Sequence, residues 1–556
     1  MILDRVQQRR PARRRARFAA IGIGLVASAL ALAGCSSPGG TGSGAASATP
    51  TNGGTLTYAS GDAEPTCLDP HVGGNYPQAL LASQYIQELV SMGNDRVAHP
   101  ALATSWSTSA DGLTWTFHLR TGVQFSDGTP FDAAAVVRNV QHVQDPTTAS
   151  STGYLALGAI ATATATDAHT VTFTLSRPDS ALLESLSQPW VGIESPKALA
   201  RTQAANCAAP VGTGPFIVTS WKHGDRITLE RNAHYTPLGS GDARPHLASI
   251  VWRFIPDSTS RYAALQSGQV DVIDNPQPDQ VHAARANGPI TVLNAPRPGA
   301  SDRLELNSGH GVFTDPAVRK AFIAAADINP GIASLYLGTV HRSYSVLSSV
   351  EPDAYADKSL FGYDPATANA LLDAAGWKRS GTGVRMKNGQ PLSVTFPVST
   401  NQSIPAEQSL FQQIQASEQQ VGFQVHIEDL DLSSWYAALA ANKYDVVSAP
   451  YTKVGPDVLR ILYDSASIKP APSGYFANLA QLDEPALDSL LQRADATADP
   501  TARAALYKQA QQLILSSHTV LPLYDQRNEF LVRSSVHGIS TTSVSTPEFG
   551  SAWISR

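Results

Sequence analysis

Three cysteines and three methionines are all the sulfur in a chain of 556 residues. That excludes the disulfide-dense scaffolds on which small secreted domains rely. Charged residues make up only 15%, and no apolar run beyond the N-terminus is long enough to span a bilayer. The sequence has no G-x-S-x-G nucleophile elbow, no H-E-x-x-H zinc helix and no G-x-x-x-x-G-K-[ST] phosphate loop. Its 14 histidines are scattered, with no pair at helical metal-ligand spacing, so neither a metal site nor a cofactor is expected. Basic charge is scarce as well. Seven arginines and one acid precede residue 35, leaving 33 basic against 45 acidic residues in the remainder. An acidic body argues against nucleic acid as a partner.

What is present begins with an export signal over residues 1–34. Arginines 9, 10, 13, 14, 15 and 17 form a charged region, and residues 18–33 form a short apolar one. The run Leu32-Ala33-Gly34-Cys35 resembles the lipobox of bacterial lipoproteins, which implies acylation of Cys35 after cleavage. A membrane anchor is the alternative, and Arg14-Arg15 leaves twin-arginine export open. Residues 35–54 (after Cys35, SSPGGTGSGAASATPTNGG) have almost nothing to bury and read as a flexible tether. With Cys35 taken by lipid, Cys67 and Cys207 remain in an oxidising compartment and are expected to pair, a buried free-thiol pair being the alternative.

A body of this length needs more than one core. Its central passage is 210–235, PVGTGPFIVTSWKHGDRITLERNAHY. Gly212, Gly214 and Pro215 signal a tight turn. Two alternating runs then flank Gly224-Asp225, which is a hairpin signal. Residues 111–120 (DGLTWTFHLR) alternate strictly, with Leu113, Trp115, Phe117 and Leu119 on one face. Residues 78–89 carry a helical stripe of Leu81, Tyr85, Ile86 and Leu89. Asp315-Pro316 and Asp364-Pro365 each suit a helix start, the first followed by Val318, Ala321, Phe322 and Ala325. A Pro-rich crossing, NAPRPGAS, covers 294–301, and 520–524 (VLPLY) is expected to be a strand returning to the first lobe.

Several of these passages resemble one family in particular. They are GTGPF with its W, GD turn and L-x-RN-x-x-Y strand; P-x-L-A-x-S-W through F-x-DG-x-P-F over 100–131; and Y-D-P through LL-x-x-A-G-W over 363–377. They resemble the large solute-binding proteins of ABC importers, family 5, the peptide, nickel and opine group. The resemblance implies an α/β, two-lobed periplasmic-binding-protein-like fold of the second type, from the large cluster with an extra subdomain, and an interlobe cleft. Residues 55–299 would form lobe I, with the extra subdomain at about 95–200. Residues 300–520 would form lobe II, and 521–556 would return to lobe I.

The function so implied is capture of a small solute and its delivery to ABC permease subunits, by a lipid-anchored monomer outside the bacterial cell membrane, without catalysis. A short peptide is the first expectation; an oligosaccharide, an opine-like compound or a metal chelate stays open. A secreted α/β hydrolase is the reading from a different class. By position in the family, Tyr451 and Trp435 would line the pocket with Thr452 and Lys453, and Tyr76 and Trp190 would join from lobe I. Ordinary core roles for these aromatics remain open. Lys453 and Val454 stand where peptide binders commonly carry an acid. Free-amine peptides are therefore expected to bind poorly, with a neutral or anionic ligand group near Lys453, unless Lys453 points to solvent.

Overall fold

The computed structural model describes residues 49–555 apart from 94, 239–243, 287 and 449. The export signal, Cys35 and most of the 35–54 tether therefore lie outside the described residues. Among the described residues, no helix is long and apolar enough to cross a membrane.

The hairpin read from 210–231 forms as expected, with Phe216–Lys222 pairing antiparallel to Arg226–Arg231. It is the edge of a seven-stranded sheet that runs Ile290–Pro296, Arg527–Arg533, Val272–Ile273, Thr55–Ser60, Ser249–Phe254, Arg226–Arg231, Phe216–Lys222. Thr55–Ser60 is parallel to both of its neighbours, and the other pairs are antiparallel. Gly212 and Gly214 serve close approach here. Neither has a positive φ. A Cβ on Gly214 would stand 2.5 Å from the carbonyl carbon of Tyr85, and one on Gly212 would stand 2.1 Å from its oxygen.

That approach also shortens the helix expected over 78–89. The helix is Tyr76–Ala82. Beyond it, Gly214 N–H donates to the Tyr85 carbonyl and Phe216 N–H to that of Gln84, each at 3.0 Å. The backbone that would continue the helix is thus paired with the glycine turn instead. Leu81, Tyr85, Ile86 and Leu89 are all buried as their spacing suggests.

The alternating run at 111–120 becomes Thr114–Leu119 in a four-stranded antiparallel sheet with Ala103–Thr108, Thr170–Leu175 and Ile160–Asp167. Trp115, Phe117 and Leu119 fill an apolar core that also holds Val171, Phe173 and Leu175. A separate and larger core runs from Ala300 to Tyr524. It surrounds a three-stranded sheet, Val446–Ser448, Asp302–Leu306 and Val520–Tyr524, and a parallel pair, Ser393–Ser399 and Gln424–Leu430. Helix Pro405–Val421 joins that parallel pair in the chain. Separate cores on either side of the crossing segments give two α/β lobes.

One expectation is corrected. Val520–Tyr524 does not return to the first sheet; it pairs with Asp302–Leu306 in the second lobe. All five of its residues are buried there, which a strand covered on both faces by apolar core requires. The return comes at Asp525 and Gln526, before Arg527–Arg533 joins the seven-stranded sheet. The two crossings are tied together, since Arg297 N–H donates to the Gln526 carbonyl at 3.0 Å and Gln526 Nε2 donates to Asp302 Oδ2 at 3.1 Å.

Candidate ligand-binding site

Where the crossings pass between the lobes, the structure encloses a cavity of about 330 Å³. Tyr76, Trp190 and Asp62 face it from the first lobe; Trp435, Tyr451 and Thr452 face it from the second; and Arg297 lies on the crossing between them.

Each wall residue is fixed by local structure. Tyr76 opens helix Tyr76–Ala82, whose start is held by a capping box between Asn75 and Gln78. Its hydroxyl donates to the Val544 carbonyl at 2.8 Å. Trp190 Nε1 donates to the Asn75 carbonyl at 3.1 Å, which holds the indole beside the same helix start. Trp435 rides on helix Leu432–Ala440, capped by Asp431. Its Nε1 reaches the Pro397 carbonyl at 3.3 Å, and its ring meets Tyr436 edge-on at 5.0 Å. Tyr436 in turn meets Tyr475, so these three rings join Tyr451 on the second lobe's side.

Arg297, Asp62 and Asp274 define the cavity chemically. The Arg297 guanidinium lies 4.0 Å above the Tyr76 ring, and its Nε donates to Thr452 Oγ1 at 2.8 Å. This contact joins the two lobes across the cavity and orients a planar cation suited to a carboxylate. Opposite in sign is Asp62, whose carboxylate accepts from Asn275 Nδ2 at 2.9 Å. Burial and the neighbouring Asp274 push its pKa up to about 7, against the pull of the Asn275 hydrogen bond, Arg297 and Arg261. Asp274 itself is saturated by Tyr58, Ser60 and the Gly61 N–H. Aromatic walls, one guanidinium and the neighbouring Asp62 and Asp274 carboxyls can hold a small charged or zwitterionic molecule.

Residues 97–470, more than half of the chain, match the family model described as bacterial extracellular solute-binding proteins, family 5. The chain belongs to that family. The nickel-binding periplasmic protein of Escherichia coli K12 is 28% identical to this family 5 protein over 495 residues, covering 87% of this chain and 89% of that one. The glutathione-binding protein GsiB of the same strain is 29% identical, covering 82% and 86%. Among solved structures, the Helicobacter pylori periplasmic binding protein DppA in complex with peptide STSA superposes with a TM-score of 0.80 at 25% identity, covering 91% of this chain and 99% of that one. Brucella suis NikA in complex with Fe(III)-EDTA gives 0.75 at 28% identity, covering 90% and 100%. The family 5 protein is a binding protein, not an enzyme.

Of the residues expected to line its pocket, Tyr451, Thr452, Trp435, Tyr76 and Trp190 come together on one cavity. Lys453 does not join them, which corrects the expectation for it. It neither faces the ligand space nor points to solvent. The chain turns at Gly455 with φ +89°, and this brings Asp457 back to Lys453, their Nζ and Oδ2 atoms 3.2 Å apart. Glu184 Oε2 is 4.0 Å away. The argument against free-amine peptides falls with it.

Reading by position missed Arg297, Asp62, Tyr436 and Tyr475. Arg297 had a signal, being the one cation in the crossing NAPRPGAS. Tyr436 follows Trp435 in the chain. Asp62 carried no signal, because its place depends on Asn275 and Asp274 far along the chain. Cys67 and Cys207 are joined by a disulfide that ties the loop before Leu68 to helix Gln203–Ala208.

Proposed function

We propose that this protein captures a short peptide of about two residues outside the cell and hands it to an ABC permease, from a position tethered to the membrane through acylated Cys35. The observation that carries the ligand reading is the pairing of Asp62 and Arg297 on one aromatic-walled cavity. A carboxyl suits an α-ammonium, and a guanidinium over Tyr76 suits a terminal carboxylate. The cavity volume, about 330 Å³, lies at the small end of ligand sites, roughly 300–1,000 Å³. That favours a dipeptide over a long peptide or an oligosaccharide. Arg297 also favours a second reading, an anionic chelate or opine-like solute held without the amine contact.

The reading is tested by mass spectrometry of the small molecules released from protein purified from its own host. A stoichiometric short peptide is the expected result. A stoichiometric solute lacking either an amine or a carboxylate would overturn it. The anchor is tested separately: Cys35→Ser should abolish lipid labelling and release the protein, and unchanged membrane retention would count against acylation.

A further inference from the structure

Away from the cleft, the first lobe gathers Asp69, His71 and His142 so that one ligand atom of each lies within 4.8 Å of the others. His142 lies in the last turn of helix Ala133–Gln144. Asp69 and His71 belong to the loop that Cys67 fastens to Cys207. The hydrogen bonds around the three side chains decide which atoms face inward. His71 Nε2 lies 2.8 Å from the Gly192 carbonyl. A carbonyl only accepts, so Nε2 carries the hydrogen and Nδ1 is left as a lone pair. That Nδ1 is fully buried, has no hydrogen-bond partner among the described residues, and stands 3.8 Å from Asp69 Oδ1.

His142 is set in the complementary way. Thr148 Oγ1 donates to the His142 carbonyl at 2.6 Å. The same hydroxyl lies 3.3 Å from His142 Nδ1, so with its hydrogen already used it can only accept there. With the hydrogen on Nδ1, Nε2 is bare where it stands 3.0 Å from Asp69 Oδ2; in the other tautomer Nε2–H donates to that oxygen. In the first form a lone pair faces a carboxylate, and a positive centre belongs between them. A proton on Nε2 serves this contact alone and leaves His71 Nδ1 buried and unpaired. A metal ion would satisfy all three atoms.

We propose that Asp69 and His71, with His142, form a structural site for a divalent cation of zinc type in the first lobe. Two imidazole nitrogens and one carboxylate oxygen make a borderline donor set of the kind zinc takes. One ligand atom of each residue lies within 4.8 Å of the others, so a small inward shift brings them to the roughly 3.3 Å ligand spacing of tetrahedral zinc with bonds near 2.0–2.1 Å. Outer partners are in place too: Gly192 and Thr148 fix the two rings, and Asn206 Nδ2 donates to Asp69 Oδ2 at 2.9 Å. Asn206 also donates to Glu194 Oε2 at 2.8 Å. A water would fill the fourth position. Entry is from the side of His142, the one partly exposed member. The absence of a metal site expected from sequence rested on local spacing, whereas these two histidines meet only in the fold.

The test stays clear of the cleft. Full-length protein is stripped with EDTA, returned to ZnCl2 and analysed for metal content, beside the variant His142→Gln. The site requires about one tightly held zinc per chain in the wild type and at least about a 100-fold weaker affinity in the variant. Zinc held equally by both, or by neither, overturns it. Should the variant fail to fold, anomalous diffraction at the zinc edge from wild-type crystals decides the matter. A peak among Asp69, His71 and His142 upholds the site, and zinc only in the cleft or on the surface overturns it.

Discussion

Lys453 Nζ lies 3.2 Å from Asp457 Oδ2, and both side chains are buried. Burial alone would lower the ammonium's pKa, yet Asp457 and Glu184 together hold it above the ordinary lysine value. The pair closes the 451–457 loop on itself and leaves Tyr451 and Thr452 to face the cavity. Removing one member of a buried pair strands the other. Lys453→Ala should therefore cost about 3 kcal/mol in a denaturant titration, and ligand affinity measured on the folded fraction should change far less. A variant as stable as the wild type would show that the pair contributes nothing.

With the amine contact proposed for it, Asp62 should make binding depend on pH. Its pKa is raised from 3.8 to about 7, so the folded protein holds this proton more tightly than the unfolded chain does. Its contribution to stability is full below 3.8 and is lost as pH rises toward 7. An ammonium partner needs the ionised form. Affinity for a free-amine dipeptide should rise with pH by up to about tenfold per unit below 7 and level off above it. Asp62→Asn should flatten that profile; calorimetry across the range that finds the same slope in the variant would assign the dependence elsewhere.

The glycines of the 210–224 passage divide into two kinds. Gly214→Ala drives a Cβ to 2.5 Å from the Tyr85 backbone and should cost about 3 kcal/mol. Gly224 sits at φ +73° with open space around it, so Gly224→Ala should cost only about 1–2 kcal/mol of left-handed strain. Thermal unfolding of the two variants gives the order, and equal losses would contradict it.

The disulfide spans 140 residues of sequence. Replacing Cys67 and Cys207 together with serine should lower the unfolding free energy by about 2–5 kcal/mol. Peptide mapping without reductant should recover the linked pair.

Local patterns were legible in the sequence. Asp315 and Asp364 cap the helices they precede. The alternation of Trp115, Phe117 and Leu119 reports a buried face, because side chains on a strand point to opposite sides in turn. Periodicity says which face an element buries, not what covers it. The helix stripe through Tyr85 was real as burial and wrong as helix, since Gly214 takes its backbone. Tyr451 and Trp435 could be placed by resemblance, while Lys453 could not, because its partner is chosen by the turn at Gly455. Asp62 and the Asp69–His71–His142 cluster are made by segments that meet only after folding.

Titration calorimetry of the purified protein with free dipeptides, set beside Arg297→Ala and Tyr451→Ala, tests most directly where the solute is held. The account predicts a one-to-one complex in the wild type and at least about tenfold weaker binding in each variant, roughly 1.4 kcal/mol or more, with the fold intact. Affinities unchanged in both variants would place the solute outside this cavity and contradict it.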